Sequence, residues 1–338
     1  MTQQKPRIGI TLGDPNGIGP EVVIKALADT RILGLFTPVV YGSAKVISHY
    51  KKILNIEEFN YSQVRNKGQL AHKNINVVNC WEETLEVAPG KGSAESGKAA
   101  FTALKAACED LKDGHLDAMV TAPIDKKLIH SAEFPFKGHT EYLTQFFGAK
   151  DSLMFMVSDK LKVGLVTEHV PVNQVSSLLT KERIESKLNL MESSLKKDFG
   201  IVKPKIAVLG LNPHAGDNGL IGQEDEQILK AVINENRGKG RLVFGPFPAD
   251  GFFGAAQYLK YDGVLAMYHD QGLIPFKSIA FEDGVNYTAG LPVVRTSPDH
   301  GTAFAIAGKN QAHESSLREA IYRAGDIVKS RMEPSKEK

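Results

Sequence analysis

"GITLGDPNGIGPEVVIKAL", Gly9 to Leu27, joins an apolar β-type run to a helical run through a glycine-rich loop. "RIGITL" (Arg7–Leu12) reads as a buried strand, and Pro20 opens a helix running through Val22, Val23 and Leu27. A loop of this kind suggests a nucleotide cradle, but a dinucleotide fingerprint needs G-x-G-x-x-G. Here Gly17-Ile18-Gly19 is followed by Pro20, Glu21 and Val22, so the third glycine is missing. The stretch reads instead as the first strand-to-helix turn of an α/β fold, where Gly13, Gly17 and Gly19 permit tight backbone. Asp14 and Asn16 are expected to face a cleft between domains.

The same alternation continues along the chain. "TPVVYG" and "NINVVNC" read as strands, Ser93 starts the long helix "SAESGKAAFTALKAACEDLKDG", and "DAMVTAPI" is a strand followed at once by helix-like "DKKLIHSAE". "SLMFMVSDKLKVGLVTEH" holds two apolar runs around a Ser-Asp-Lys turn, a hairpin pattern. The polar helix "TKERIESKLNLMESSLKKDFG" then leads to the buried strands "PKIAVLGLNPH" and "GVLAMYHDQG". In the last helix Leu317, Ala320, Ile321, Ala324, Ile327 and Val328 line one face. Such alternation predicts a mostly parallel sheet with helices on both faces.

Bulk properties narrow the function. At 338 residues the chain is long for one compact core, and no Pro-, Gly- or Ser-rich linker separates two beads, so an interwoven two-domain arrangement is expected. Lys+Arg 41 against Asp+Glu 39 gives a net +2, which supplies no field for nucleic acid or a membrane surface. Cys80 and Cys108 lie in unrelated contexts without CxxC spacing, which argues against a disulfide framework or a thiolate zinc site. The amino terminus lacks a long apolar leader, and no run approaches ~18 apolar residues. A cytoplasmic location is the expectation.

Chemistry concentrates at strand ends. His49, His72, His115, His130 and His313 fall in no pattern, but "KVGLVTEH" ends at His169, "IAVLGLNPH" at His214 and "GVLAMYH" at His269. In open α/β sheets the carboxyl edge of the strands is where ligands bind. Three imidazoles with a position left open suit a catalytic divalent metal; the alternative is three separate structural roles. "FPFKGHTEYL" places Lys137, His139 and Thr140 where a helix begins, suited to a phosphate or carboxylate, or to plain capping by Thr140. The stretch from Leu273 to Lys309 carries Lys277, Asn286 and Arg295 and is too glycine-interrupted for a helix; Lys277 and Arg295 could neutralise an anion. "GKGSAESGKAA" lacks P-loop spacing and reads as helix capping.

"GDPNGIGPE", "VTAPIDK", "FKGHTEYL", "TEHVP", "LNPHAGDNG", "AMYHDQGLIPFK" and "GVNYTAGLPVVRTSPDHGTAF" occur in order over nearly the whole chain. Together they resemble the 4-hydroxythreonine-4-phosphate dehydrogenase family of vitamin B6 biosynthesis, and "GDPNGIGPE" and "DHGTAFAIAGK" resemble the wider isocitrate/isopropylmalate dehydrogenase group. The resemblance implies two α/β/α domains with the active site in the cleft between them. The first domain would comprise residues 1–130 and 285–338 and carry the cofactor loop; the second, 131–284, would carry the metal ligands and the dimer contact. A homodimer is implied, with the site at the subunit interface and His169, His214 and His269 holding the metal from both subunits. His139, Thr140, Lys277, Asn286 and Arg295 would bind the small phosphorylated substrate. NAD or NADP would lie near Leu291, Asp299, Gly301 and Thr302, although many relatives carry an acid where this chain has Ala305. The metal would be zinc, with cobalt or magnesium as the other choices.

The implied reaction oxidises 4-phosphooxy-L-threonine at C3 to 2-amino-3-oxo-4-phosphooxybutanoate, which decarboxylates to 3-amino-2-oxopropyl phosphate. Asp250 in "PADGFF" is the residue assigned to take the hydroxyl proton. Three rivals stand beside this reading. A dehydrogenase of a phosphorylated sugar acid, 4-phospho-D-erythronate or threonate, would share the metal and phosphate residues. A phosphate acyltransferase would not require three metal-binding histidines. A non-enzymatic metal-binding protein would leave Lys277, Asn286 and Arg295 unexplained.

Overall fold

A computed structural model describes residues 5–64, 69–82 and 85–332. The chain divides into two compact units, Met1–Lys150 with Leu291–Lys329, and Asp151–Gly290 with the residues from Ser330 onward. In chain order the first unit opens with β1 (Arg7–Thr11), α1 (Gly19–Ala28), β2 (Thr37–Gly42), α2 (Ala44–Leu54), β3 (Tyr61–Gln63) and β4 (Ile75–Asn79). It continues with α3 (Ala94–Lys112), β5 (Ala118–Thr121) and α4 (His139–Phe146). The second unit contains β6 (Leu153–Val157), β7 (Lys162–Leu165), α5 (Val172–Leu178), α6 (Lys181–Lys197), β8 (Ile206–Leu209) and α7 (Lys230–Gly238). After β9 (Val243–Phe247), α8 (Ala249–Gly254), β10 (Gly263–Ala266), α9 (His269–Ile279) and β11 (Val285–Ala289), the chain returns to the first unit with β12 (Val294–Pro298) and most of α10 (Ser315–Met332).

In the first unit the strands run in the order β3-β4-β2-β1-β5-β12, every pair parallel. Ile8 and Ile10 on β1 are fully buried, as expected of a strand with parallel neighbours on both sides. The strand order reverses beside β1, so the loop after it lies at the switch point between β1 and β5. α3 starts as its sequence predicts. The Ser93 hydroxyl accepts the Ser96 N–H at 3.1 Å and the Ser96 hydroxyl accepts the Ser93 N–H at 3.0 Å, a reciprocal cap. All six residues of the expected α10 face are buried.

The second unit has the order β11-β6-β7-β10-β8-β9. The expected hairpin is β6 with β7, antiparallel, and β11 joins β6 antiparallel; β7, β10, β8 and β9 are parallel. Thr180 starts α6 by accepting the Arg183 N–H at 3.3 Å.

Two local expectations fail. "DKKLIHSAE" forms turns and bends rather than a helix. The Asp125 carboxylate accepts the N–H groups of Lys127 and Leu128 at 2.8 and 3.0 Å, as a cap does, and the Ile129 N–H reaches the Asp125 carbonyl at 3.1 Å. The segment goes no further: Ser131 and Phe134 bond to each other at 3.1 and 3.3 Å just ahead of Pro135. Conversely, Leu273–Ile279 is helical as part of α9 despite Pro275 inside it, because Gly272, Leu273 and Phe276 are buried on its inner face.

Candidate active site

The second unit gathers the three histidines at one edge of its sheet. β7, β10 and β8 are adjacent and parallel, and His169, His269 and His214 follow their carboxyl ends by four, three and five residues. The imidazole rings of His169 and His269 lie 5.8 Å apart between centroids. His269 is the first residue of α9, and its Nδ1 is 2.7 Å from a carboxylate oxygen of Asp270. Among the described residues no three His, Cys, Asp or Glu side chains close into a metal-holding group within this chain. The donor set itself, imidazoles beside an exposed carboxylate, has the chemistry that zinc and its neighbours prefer.

His214 sits on unusual backbone. His214, Ala215, Gly216, Asp217 and Asn218 all have positive φ, between 43° and 79°, forming a left-handed turn. For residues other than glycine this conformation costs roughly 1–2 kcal/mol each, and such strain persists only where the surroundings enforce it. Asp225 is fully buried against the turn. One of its oxygens accepts the Leu211 N–H at 2.8 Å. The other accepts the Asn212 backbone and side-chain N–H groups at 3.1 and 2.9 Å. Gln271 ties the neighbouring strand ends together, accepting the Met267 N–H at 2.7 Å and donating to the Gly210 carbonyl at 2.6 Å.

Around the histidines, burial pushes the Glu168 carboxyl above its usual range, and Glu168 accepts the Met154 N–H at 3.3 Å. Asn286 lies on β11, its Oδ1 buried without a hydrogen-bond partner among the described residues. Lys277 lies near the end of α9, and Asp250 is exposed in the first turn of α8. Neither Asp225 nor Gln271 is marked by sequence pattern; Glu168 is flagged only by standing beside His169 in "TEHVP".

The first unit holds His139, Thr140 and Arg295. His139 is the first residue of α4, and Gly138 occupies the cap position with no side-chain bond, so Thr140 does not cap this helix. The Nε2 of His139 is buried with no hydrogen-bond partner among the described residues. Burial, then the charges of Arg295 and Lys126, hold its pKa well below the usual value, so the ring is neutral near pH 7. Arg295, only 2% exposed, lies within β12 and donates from Nε and a terminal nitrogen to the Thr121 hydroxyl at 3.1 and 2.6 Å. Burial lowers its pKa to about 10, which still leaves a cation at neutral pH. An orphaned imidazole nitrogen near a buried guanidinium is the arrangement expected where an anionic ligand completes the hydrogen bonding.

The predicted cofactor residues flank β12. Leu291 is buried ahead of the strand, the Asp299 N–H donates to Ser316 at 3.1 Å, and the Thr302 carbonyl accepts the Ile18 N–H at 2.9 Å. Gly301 has nothing within 4 Å of where a Cβ would stand, so its backbone is open to approach. The expectation for Asp14 and Asn16 is corrected: they are 0% and 2% exposed and face inward. Asp14 accepts the Asn16 N–H at 2.9 Å and the Ser96 hydroxyl at 3.1 Å. The Asn16 side chain donates to the Lys91 carbonyl at 2.8 Å and accepts the Ala88 N–H at 2.9 Å.

Residues 34–324 match the family described as pyridoxal phosphate biosynthetic protein PdxA. A 4-hydroxythreonine-4-phosphate dehydrogenase from Bacteroides thetaiotaomicron is 49% identical over 332 residues, covering 98% of this chain and 91% of the relative. A protein from Oceanobacillus iheyensis, provisionally named as a D-threonate 4-phosphate dehydrogenase, is 39% identical over 96% of this chain and 98% of its own. The crystal structure of 4-hydroxythreonine-4-phosphate dehydrogenase from Klebsiella pneumoniae superposes with a TM-score of 0.85 at 37% identity, covering 97% of this chain and 99% of that one.

Proposed function

Because this chain belongs to the pyridoxal phosphate biosynthetic protein PdxA family, we propose that it oxidises 4-phosphooxy-L-threonine at C3, using NAD or NADP. The product, 2-amino-3-oxo-4-phosphooxybutanoate, carries its carboxylate β to a ketone and loses carbon dioxide to give 3-amino-2-oxopropyl phosphate. The observation that carries the reading is the placement of His169, His269 and His214 at the carboxyl ends of three adjacent parallel strands. A divalent metal bound by these imidazoles would supply Lewis acidity that lowers the pKa of a coordinated hydroxyl and offsets developing negative charge.

The remaining roles belong to the chain's own side chains. Arg295 and Lys277 neutralise the phosphorylated substrate, while neutral His139 donates a hydrogen bond without adding charge. Thr140 and Asn286 complete the polar contacts, and the buried, unpartnered Asn286 Oδ1 suits a substrate N–H or hydroxyl donor. Asp250 is the proposed acceptor of the C3 hydroxyl proton. Leu291, Asp299, Gly301 and Thr302 contact the nicotinamide cofactor. The working form is a cytoplasmic homodimer with metal ligands from both subunits, and zinc is the first choice of ion, ahead of cobalt and magnesium. Among the described residues no helix is long and apolar enough to cross a membrane.

A second reading is favoured by the relative named for D-threonate 4-phosphate, which shares 39% identity. Nicotinamide reduction by the zinc-loaded protein with 4-phosphooxy-L-threonine, 4-phosphothreonate and 4-phosphoerythronate separates them. The expected preference is for the amino-acid phosphate. Faster turnover of either sugar-acid phosphate would move the assignment to the second reading, and no reduction with any of them would remove the dehydrogenase reading.

A further inference from the structure

We infer that Asp225 is a positioning residue that locks the left-handed turn carrying His214 into its metal-binding conformation, and that Gln271 ties this turn to the start of the helix carrying His269. The inference rests on the metal role proposed above for His214.

Asp225 is fully buried, and its hydrogen bonds join it to Leu211 and Asn212, which lie between the end of β8 and the turn. All its donors are neutral N–H groups, so the carboxylate's charge is spent on fixing this joint. The packing is close. A Cβ on Gly210 would stand 2.9 Å from one Asp225 oxygen, and a Cβ on Gly216 would stand 3.1 Å from Asp225 Cβ. Gln271, two residues after His269, donates to the carbonyl of Gly210, the residue directly before Leu211. A continuous path of hydrogen bonds and main chain therefore runs from the first turn of α9, through Gln271, Gly210 and Leu211, to Asp225 and the turn above it.

The arrangement explains why four residues other than glycine accept positive φ here. Without the anion beneath Leu211 and Asn212, the turn keeps only its own backbone bonds, such as Ala215 N–H to the Asn212 carbonyl at 3.0 Å, and His214 loses its anchor from below. Groups that orient a metal ligand from behind typically alter metal affinity by about 10–100-fold when removed.

The test compares Asp225→Asn, Asn212→Ala and His214→Ala with the wild type. Zinc affinity is read by equilibrium dialysis, the visible spectrum by cobalt substitution, and folding by the melting temperature of the metal-free protein. Asp225→Asn keeps the side-chain shape but turns an N–H group toward N–H donors. It is expected to weaken zinc binding about 10–100-fold and to change the cobalt spectrum. Excess zinc should restore turnover to Asp225→Asn and not to His214→Ala. Asn212→Ala removes one of the bonds to Asp225 and should weaken zinc binding several-fold; if Asp225→Asn does not fold, this variant decides. Wild-type affinity in Asp225→Asn, or in Asn212→Ala where it decides, together with lost affinity in His214→Ala overturns the inference and leaves the metal reading standing. Wild-type affinity in His214→Ala overturns the metal reading itself, and this inference with it.

Discussion

Two glycine-rich loops, "LGDPNGIG" after β1 and "LNPHAGDNG" after β8, look alike in composition and are used in opposite ways. Both leave the carboxyl end of a buried parallel strand, and both contain Asp, Asn and Pro. In the first, Asp14 and Asn16 are buried and bonded to Ser96, Lys91 and Ala88, and the positive φ falls on Gly13. In the second, His214, Asp217 and Asn218 are exposed on backbone that their residue types resist, and the buried acid is Asp225, supplied from outside the loop. A loop whose polar groups face inward holds its neighbours together. A loop that presents them outward on strained backbone, with its stability provided from beneath, has the character that the proposed metal role of His214 requires.

The largest expected effect tests the outward edge. On the metal role proposed for them, His169→Ala or His269→Ala should lower turnover on the order of 10³-fold, because several kcal/mol of electrostatic stabilisation would go with the metal. Both side chains have substantial exposure, so the melting temperature of the metal-free protein should stay close to that of the wild type. Steady-state kinetics beside thermal unfolding reads both quantities. Retained activity in a variant shown to lack metal would break the contrast between the loops.

Much of the fold was legible because short apolar strands and periodic helices carry strong patterns; the α10 face from Leu317 to Val328 and the β6–β7 hairpin follow them directly. The histidine edge was legible for the same reason, since each imidazole follows a recognisable strand. Local contests were not. Asp125 caps a single turn whose apolar spacing suits a helix, and the mutual bonds of Ser131 and Phe134 ahead of Pro135 stop it there. Burial of Leu273 and Phe276 carries α9 through Pro275. Asp225 sits in the polar run "GQEDEQ", which reads as a solvated face until the fold buries one of its acids. Asp14 and Asn16 misled in the same manner, because residue type does not say which way a loop turns.

The next effect is structural and compares a glycine from each loop. Gly13→Ala forces a Cβ onto φ +67° and within 2.3 Å of the Pro123 carbonyl oxygen, a backbone atom that cannot swing aside. Left-handed strain and overpacking together predict about 3 kcal/mol of destabilisation. Gly216→Ala also requires positive φ, +79°, but its nearest contact is 3.1 Å from Asp225 Cβ, so about 1–2 kcal/mol is expected. Denaturant unfolding of both variants measures the order. A Gly216→Ala loss larger than that of Gly13→Ala would mean that the second loop, not the first, holds its unit together.

The smallest effect concerns the ionisation of Asp14. Burial raises its pKa above the ordinary carboxylate value of 3.8, and this outweighs the lowering by its bonds to Asn16 and Ser96. The native state therefore holds this proton more tightly than the unfolded chain does, so stability falls as pH rises from about 3.8 through the raised value and is level above it. Asp14→Asn removes the titrating group while its amide oxygen can still accept the Asn16 N–H, and the Ser96 hydroxyl keeps the Ser93 carbonyl as an acceptor. The difference in unfolding free energy, wild type minus Asp14→Asn, should decline across that window in urea titrations at a series of pH values. Subtraction cancels the opposite slopes of ion-paired carboxylates elsewhere, such as Asp151 beside Lys187. A difference that instead rises with pH would show that the bonds from Asn16 and Ser96 outweigh burial, making the inward loop a site that prefers the carboxylate.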